Sequence, residues 1–114
     1  MDSDFDVLVS RTDSAAVIEL VGDVDLYNAP QLQEAIRELL AAGQHRILVD
    51  LSRVEYIDSS GLGTLVGGLR RAREQDGDLT IRDASPRVRK VLTVTGLHKI
   101  FDFPECEDAI DGAP

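Results

Sequence analysis

Cysteine is nearly missing from this chain of 114 residues: Cys106 stands alone, so no intrachain disulfide can staple the fold and a reducing compartment, the cytoplasm, is expected. Tryptophan is absent and aromatics reach only 4%, so the core must be built from Leu, Val and Ile. No apolar run approaches the roughly 20 residues that cross a bilayer. The start, Met-Asp-Ser-Asp-Phe-Asp, lacks the basic and then apolar pattern of a secretion signal. Basic residues are also scarce, 12 Lys and Arg against 21 Asp and Glu, for a net charge of -9. That balance argues against nucleic acid, whose binding rests on cations that neutralise phosphates, and against anionic lipid. A protein partner with a basic face suits it better. No His/Cys cluster of metal-ligand type and no phosphate-cradling glycine loop can be found, so no cofactor is expected.

What is present reads as one globular domain over residues 1–114, with 43% apolar residues and length for a single layered core. Phe5, Val7 and Val9 alternate with polar residues, and Ala15 to Val21 is a second β-rich run beyond the turn-forming Arg11 to Ser14. Gly22-Asp23-Val24-Asp25 closes this hairpin. Asn28 or Ala29 caps a helix with Pro30 in its first turn, carrying Leu32, Ala35, Ile36, Leu39 and Leu40 on one stripe and ending at Gly43. Arg46 to Leu51 is a near-continuous apolar run, of the kind covered on both faces. A second helix places Leu62, Leu65, Val66 and Leu69 inward and stops at Gly77; Leu79 to Arg82 is another strand. Ser85-Pro86 starts a third helix that ends at Gly96. Ile100, Phe101 and Phe103 suggest a last strand, and Glu105 to Ile110 a last helical turn or two. The order ββαβαβαβ implies an α/β fold: a mixed sheet of about five strands, parallel in its centre, with helices packed on it.

The chemistry concentrates at Asp58-Ser59-Ser60-Gly61, between a strand and a helix. The plain reading is capping, with Ser59 or Ser60 accepting from backbone N–H groups and Gly61 and Gly63 allowing tight packing. The functional reading rests on excess: one cap needs one hydroxyl, yet two sit beside a carboxylate with only small residues around them. A helix N-terminus also favours an added negative charge, so a serine there can take a phosphate without unfolding the helix. A serine nucleophile would need a base, and only His45 and His98 exist, both in turn or link positions; the Gly-x-Ser-x-Gly elbow is missing too. Asp50 at a strand end lacks the acidic pair and the lysine of a phospho-accepting receiver site. Asp23 and Asp25 lack the spacing of a cation loop, and either close a turn or belong to an acidic recognition rim.

These segments resemble the STAS-domain anti-sigma factor antagonists. The resemblance is carried by Leu20-Val21-Gly22-Asp23-Val24-Asp25, Ile47-Leu48-Val49-Asp50-Leu51-Ser52 and Tyr56-Ile57-Asp58-Ser59-Ser60-Gly61-Leu62-Gly63, then Ala84-Ser85-Pro86-Arg87-Val88 and Thr95-Gly96-Leu97-His98-Lys99-Ile100-Phe101. It implies a non-enzymatic, cytoplasmic regulator, a monomer or weak dimer, that binds an anti-sigma factor serine kinase and so frees a sigma factor. By the same resemblance Ser59 is the residue phosphorylated, with Ser60 the minor candidate, and Asp58 orients the hydroxyl. A PP2C-type phosphatase would reset the protein. The partner-binding set would be Asp23, Asp25, Asn28, Asp58, Ser59, Ser60, Gly61 and Leu62. The alternative within the same fold is a ligand- or nucleotide-sensing module, or a subunit of a larger signalling assembly.

Overall fold

The β-rich runs on either side of Arg11–Ser14 fold back on one another, with Thr12 closing the turn. Its backbone N–H donates to Ala15 O at 2.8 Å, and its Oγ1 bonds the same residue at 3.1 Å. This is the first feature of a computed structural model that describes residues 5–101. The strands are β1 (Asp6–Arg11), β2 (Ala16–Val21), β3 (Arg46–Arg53) and β4 (Asp78–Ala84); the helices are α1 (Ala29–Ala41), α2 (Ser59–Glu74), α3 (Pro86–Thr95) and α4 (Leu97–Ile100). The sheet order is β1-β2-β3-β4, antiparallel at the hairpin and parallel from β2 to β4. Each parallel step crosses over through a helix, α1 and then α2.

Period-2 burial decides which face meets the helices. Ala16, Ile18 and Leu20 of β2, Ile47, Val49 and Leu51 of β3, and Leu79 and Ile81 of β4 are buried. They join one core with Leu32, Ile36, Leu39 and Leu40 of α1, Leu65, Leu69 and Ala72 of α2, and Val88 and Leu92 of α3. Gly68 lets α2 settle on this layer: a Cβ there would lie 2.9 Å from Ile36 Cδ1 and 3.1 Å from Leu79 Cδ1.

Two expectations need correction. The apolar run in β3 does not mark a strand covered on both faces. Leu48, with Val17, Glu19 and Thr80, stays half-exposed on the opposite face, where Asp50 accepts from Ser52 N at 2.9 Å and lies 3.7 Å from Arg82 Nε. Only alternate residues of the run fill the core. The last strand is also absent at Ile100 and Phe101. Gly96 adopts φ 78°, ending α3 and releasing the chain into α4, and Phe101 follows it in a turn with its ring wholly buried. The apolar pair reflects a core plug, and the order becomes ββαβαβαα. Phe103 and the helical turns suggested for Glu105 to Ile110 lie outside the described residues.

Ser85 caps α3 as its sequence suggests, accepting from Val88 N at 3.4 Å, while its hydroxyl donates to Val54 O and pins the segment that follows β3. The glycines divide by environment, which gives the first test. Gly67 sits inside α2 with nothing within 4 Å of an added Cβ, whereas a Cβ on Gly77 would collide with the His45 backbone carbonyl. Gly67→Ala should stabilise the fold by about 0.5–1 kcal/mol, and Gly77→Ala should destabilise it by about 1–3 kcal/mol. Denaturant titration of the two variants reads both signs; equal effects would contradict this packing.

Candidate functional site

β2 and β3 run in parallel and end side by side, and each hands the chain to a loop and then to a helix N-terminus. The carboxyl ends of parallel strands are where open α/β sheets place their binding surfaces. The two loops are joined. Val24 and Ile57 form an isolated parallel bridge: Val24 N donates to Tyr56 O at 2.9 Å, and Asp58 N donates to Val24 O at 3.1 Å. Both bridge side chains are buried. Gly61 lies behind them, and a Cβ on it would stand 2.7 Å from both Val24 Cγ1 and Ile57 Cγ1. The floor of the site is therefore apolar and closely packed.

On that floor Asp58 is the N-cap of α2, in extended conformation, its Oδ1 accepting from Gly61 N at 3.0 Å. The cap is thus neither of the serines, although an aspartate directly before the helix is as good a cap as a serine and was the available signal. Ser59 and Ser60 occupy the first two helical positions, Ser59 exposed and Ser60 half-buried. What Asp58 positions is the helix start on which Ser59 stands.

The neighbouring loop is ordered by its own side chains. Asp25 Oδ1 accepts from Tyr27 N at 2.9 Å and Asn28 N at 3.1 Å, and Asn28 Oδ1 accepts from Asp25 N at 2.9 Å. Asn28 Nδ2 donates to Asp23 O at 2.8 Å. Such Asx-type bonds fix a loop locally, without help from a partner. Asn28 holds the N-cap position of α1 as expected, but its side chain makes no cap bond and turns back into this network. The Asp23 side chain is exposed.

Of the residues singled out from sequence, Asp23, Asp25, Asn28, Asp58, Ser59 and Ser60 meet at this one end of the sheet. Gly61 and Leu62 follow them but face inward: Gly61 is buried and Leu62 packs on the core. Beside the serines a groove of about 230 Å³ runs between α1 and α2, bordered by Gln33, Ile36, Thr64 and Arg71. The histidines lie elsewhere. His45 precedes the eight-residue β3, roughly 25 Å of strand away from its carboxyl end. His98 is buried in α4, its Nδ1 3.2 Å from Leu92 O, near the far end of α2, where Arg73 donates to Ile100 O. Neither can serve Ser59 as a base. Among the described residues, no group of three His, Cys, Asp or Glu could hold a metal ion, and no helix is long and apolar enough to cross a membrane.

Known proteins share this fold. The family model for the Mlab, STAS domain matches residues 7–102, so the chain belongs to the STAS-domain family. Within it, the similarity runs to anti-sigma factor antagonists. The anti-sigma-B factor antagonists of Staphylococcus epidermidis and Staphylococcus aureus are each 33% identical over 88 residues, covering 77% of this chain and 82% of theirs. An anti-sigma factor antagonist from Mycobacterium paratuberculosis superposes with a TM-score of 0.74 at 26% identity over 94% of each chain. The anti-sigma factor antagonist SpoIIAA in its unphosphorylated form gives 0.75 at 25% identity, over 94% of this chain and 97% of that one. Bacillus SpoIIAA in its phosphorylated form gives 0.67 at 28% identity, over 83% and 86%.

The geometry separates the cap from the free hydroxyls. Asp58→Ala should cost about 1 kcal/mol, the usual loss for a cap. Ser59→Ala, at an exposed position outside the cap, should stay within about 0.5 kcal/mol of the parent. Equal losses in urea unfolding would mean that Ser59 shares the capping.

Proposed function

We propose that this chain is an anti-sigma factor antagonist controlled by phosphorylation of Ser59: the unphosphorylated form binds an anti-sigma factor that is a serine kinase and displaces the sigma factor, and the phosphorylated form releases it. The observation that carries the reading is an exposed Ser59 in the first turn of α2 whose helix is already capped by Asp58. The hydroxyl is available to an enzyme, and modifying it removes nothing that the fold uses. Ser60, half-buried next to it, is the lesser acceptor. The similarity to antagonists of anti-sigma factors, one of them solved both unphosphorylated and phosphorylated, supports this choice of partner and chemistry.

The physics of the switch follows from charge. A phosphoryl group adds about -1.5 to -2 charges and strong acceptor oxygens, and the N-terminus of α2 offers it N–H groups and the positive end of the helix dipole. In a kinase complex the accepting hydroxyl faces the nucleotide phosphates and the catalytic carboxylate, so a phosphate placed there meets like charge. Losing about 1–3 kcal/mol of interface energy weakens binding roughly 5- to 150-fold, enough to exchange partners. Asp23, Asp25, Asn28 and Asp58 form the polar rim around the acceptor, and a PP2C-type phosphatase returns the protein to its binding form. The groove between α1 and α2 favours a second reading, a ligand-sensing module, which would show ligand-induced thermal stabilisation without any phosphate.

Capture from host extract with tagged wild type, Ser59→Ala and Ser59→Asp tests the first reading. Wild type and Ser59→Ala should recover an anti-sigma factor kinase, Ser59→Ala without release on addition of ATP, and Ser59→Asp should fold normally and recover none. Equal recovery by all three would end the switch hypothesis.

A further inference from the structure

Leu26, Tyr27 and Tyr56 are 66%, 90% and 52% exposed, although side chains of this size are normally sheltered from water. All three belong to the two loops that the Val24–Ile57 bridge joins, the same surface that carries Ser59. Among the described residues, the other large exposed apolar side chains, Leu8 and Val9 on β1, Val94 on α3 and Ile100 on α4, belong to other elements. Tyr27 does not hang on a loose loop. Its own N–H is held by Asp25 Oδ1 at 2.9 Å, and the Asn28 bonds to Asp25 N and Asp23 O close the loop around it. A partner binding this loop would meet an aromatic ring whose backbone is already fixed, so little ordering cost would be charged to the complex.

The two loops themselves carry side-chain charge of one sign. Residues 22–28 and 54–64 contain Asp23, Asp25, Glu55 and Asp58 and no Lys, Arg or His. Exposed apolar side chains carried on acidic loops are complementary to an apolar pocket edged by Arg and Lys, and tyrosines in such settings carry a large share of interface energy.

We propose that Leu26 and Tyr27, with Tyr56 on the loop bridged to theirs, are the apolar anchors by which the anti-sigma factor recognises this chain, seated in an apolar pocket rimmed with basic side chains. The inference rests on the Ser59 reading above and adds to it the residues that set affinity and partner choice. Ser59 supplies the reacting oxygen; the anchors touch only the partner's surface. Binding lost at the anchors is therefore lost from the ground state and the transition state alike, which raises KM for phosphorylation and leaves kcat alone.

The test uses the purified anti-sigma factor that the wild-type chain recovers from host extract. Its Kd is measured by calorimetry for wild type, Leu26→Ala/Tyr27→Ala, Tyr56→Ala and Ser59→Asp, with ATP-dependent phosphorylation of the first three. The double variant should raise Kd by about 30-fold or more, raise KM in step, and leave kcat and the thermal midpoint unchanged. Tyr56→Ala should act in the same direction, more weakly. A double-variant Kd within about threefold of wild type, with Ser59→Asp unable to bind, would overturn the anchors and leave the switch standing. A fall in kcat at unchanged KM would also overturn them, because the residues would then act on the chemistry. If wild type recovers no anti-sigma factor, or Ser59→Asp binds as wild type does, the switch reading fails and the anchor proposal with it.

Discussion

The site depends on one short piece of pairing, the Val24–Ile57 bridge. β2 and β3 keep parallel register up to Glu19 and then shift, so that Val21 faces Arg53, and Gly22 with φ 103° turns the chain out of the sheet. Left there, the two loops would diverge. The bridge brings them together again at Val24 and Ile57, through two backbone hydrogen bonds and a pair of buried β-branched side chains. Burial of those side chains is what makes the pairing worth more than its two bonds, because net hydrogen-bond gains in water are only about 1 kcal/mol each. Gly61 is part of the same device, since any side chain there would push α2 off the bridge. One packed junction thus fixes three things: where the Asp23–Asn28 loop lies, where α2 begins, and which way Ser59 points.

A second constraint is the division of work between Asp58 and Ser59. A residue that both capped α2 and accepted a phosphate would couple helix stability to the modification state. Here the carboxylate holds Gly61 N and the hydroxyl next to it holds nothing that the helix needs. Modification can then alter the surface and spare the core. The Asp25–Asn28 network plays the matching part in the other loop: local bonds fix its shape before any partner arrives, so binding free energy is spared for contacts.

Much of this was legible from residue order alone. The 3.6-residue stripe from Leu32 to Leu40, the β-rich run from Ala15 to Val21, the Ser85-Pro86 start and the Gly96 stop each follow from local physics and reappear in the fold. The failures are also physical. The β3 run looked doubly covered because Leu48 is apolar, yet its neighbours across the sheet, Val17 and Thr80, share a half-open face. Ile100 and Phe101 looked like a strand because a core plug and a strand are equally apolar over two residues. Asp58, Ser59 and Ser60 are equally good caps by residue type, and only the geometry assigns the cap to Asp58. The Val24–Ile57 bridge could not be read at all: a single bridge has no periodicity, and its partners are 33 residues apart. Nor does sequence distinguish an exposed Tyr27 from a buried one.

The charge distribution along α2 would let a chain at -9 accept more negative charge at this point. Asp58 stands at the positive end of the helix dipole, and Arg70, Arg71 and Arg73 occupy its last turns, Arg73 also bonding Ile100 O at 3.1 Å and Asp78 at 3.3 Å. Each charge therefore complements the dipole at its own end. A phosphate on Ser59 would join Asp58 at the favoured end, so its self-repulsion with nearby carboxylates is opposed by the helix. The fold gains a reason to tolerate the modification, and a facing protein surface gains none. An effect that the helix absorbs internally can then be expressed only outward, across the interface, which is what a binding switch requires.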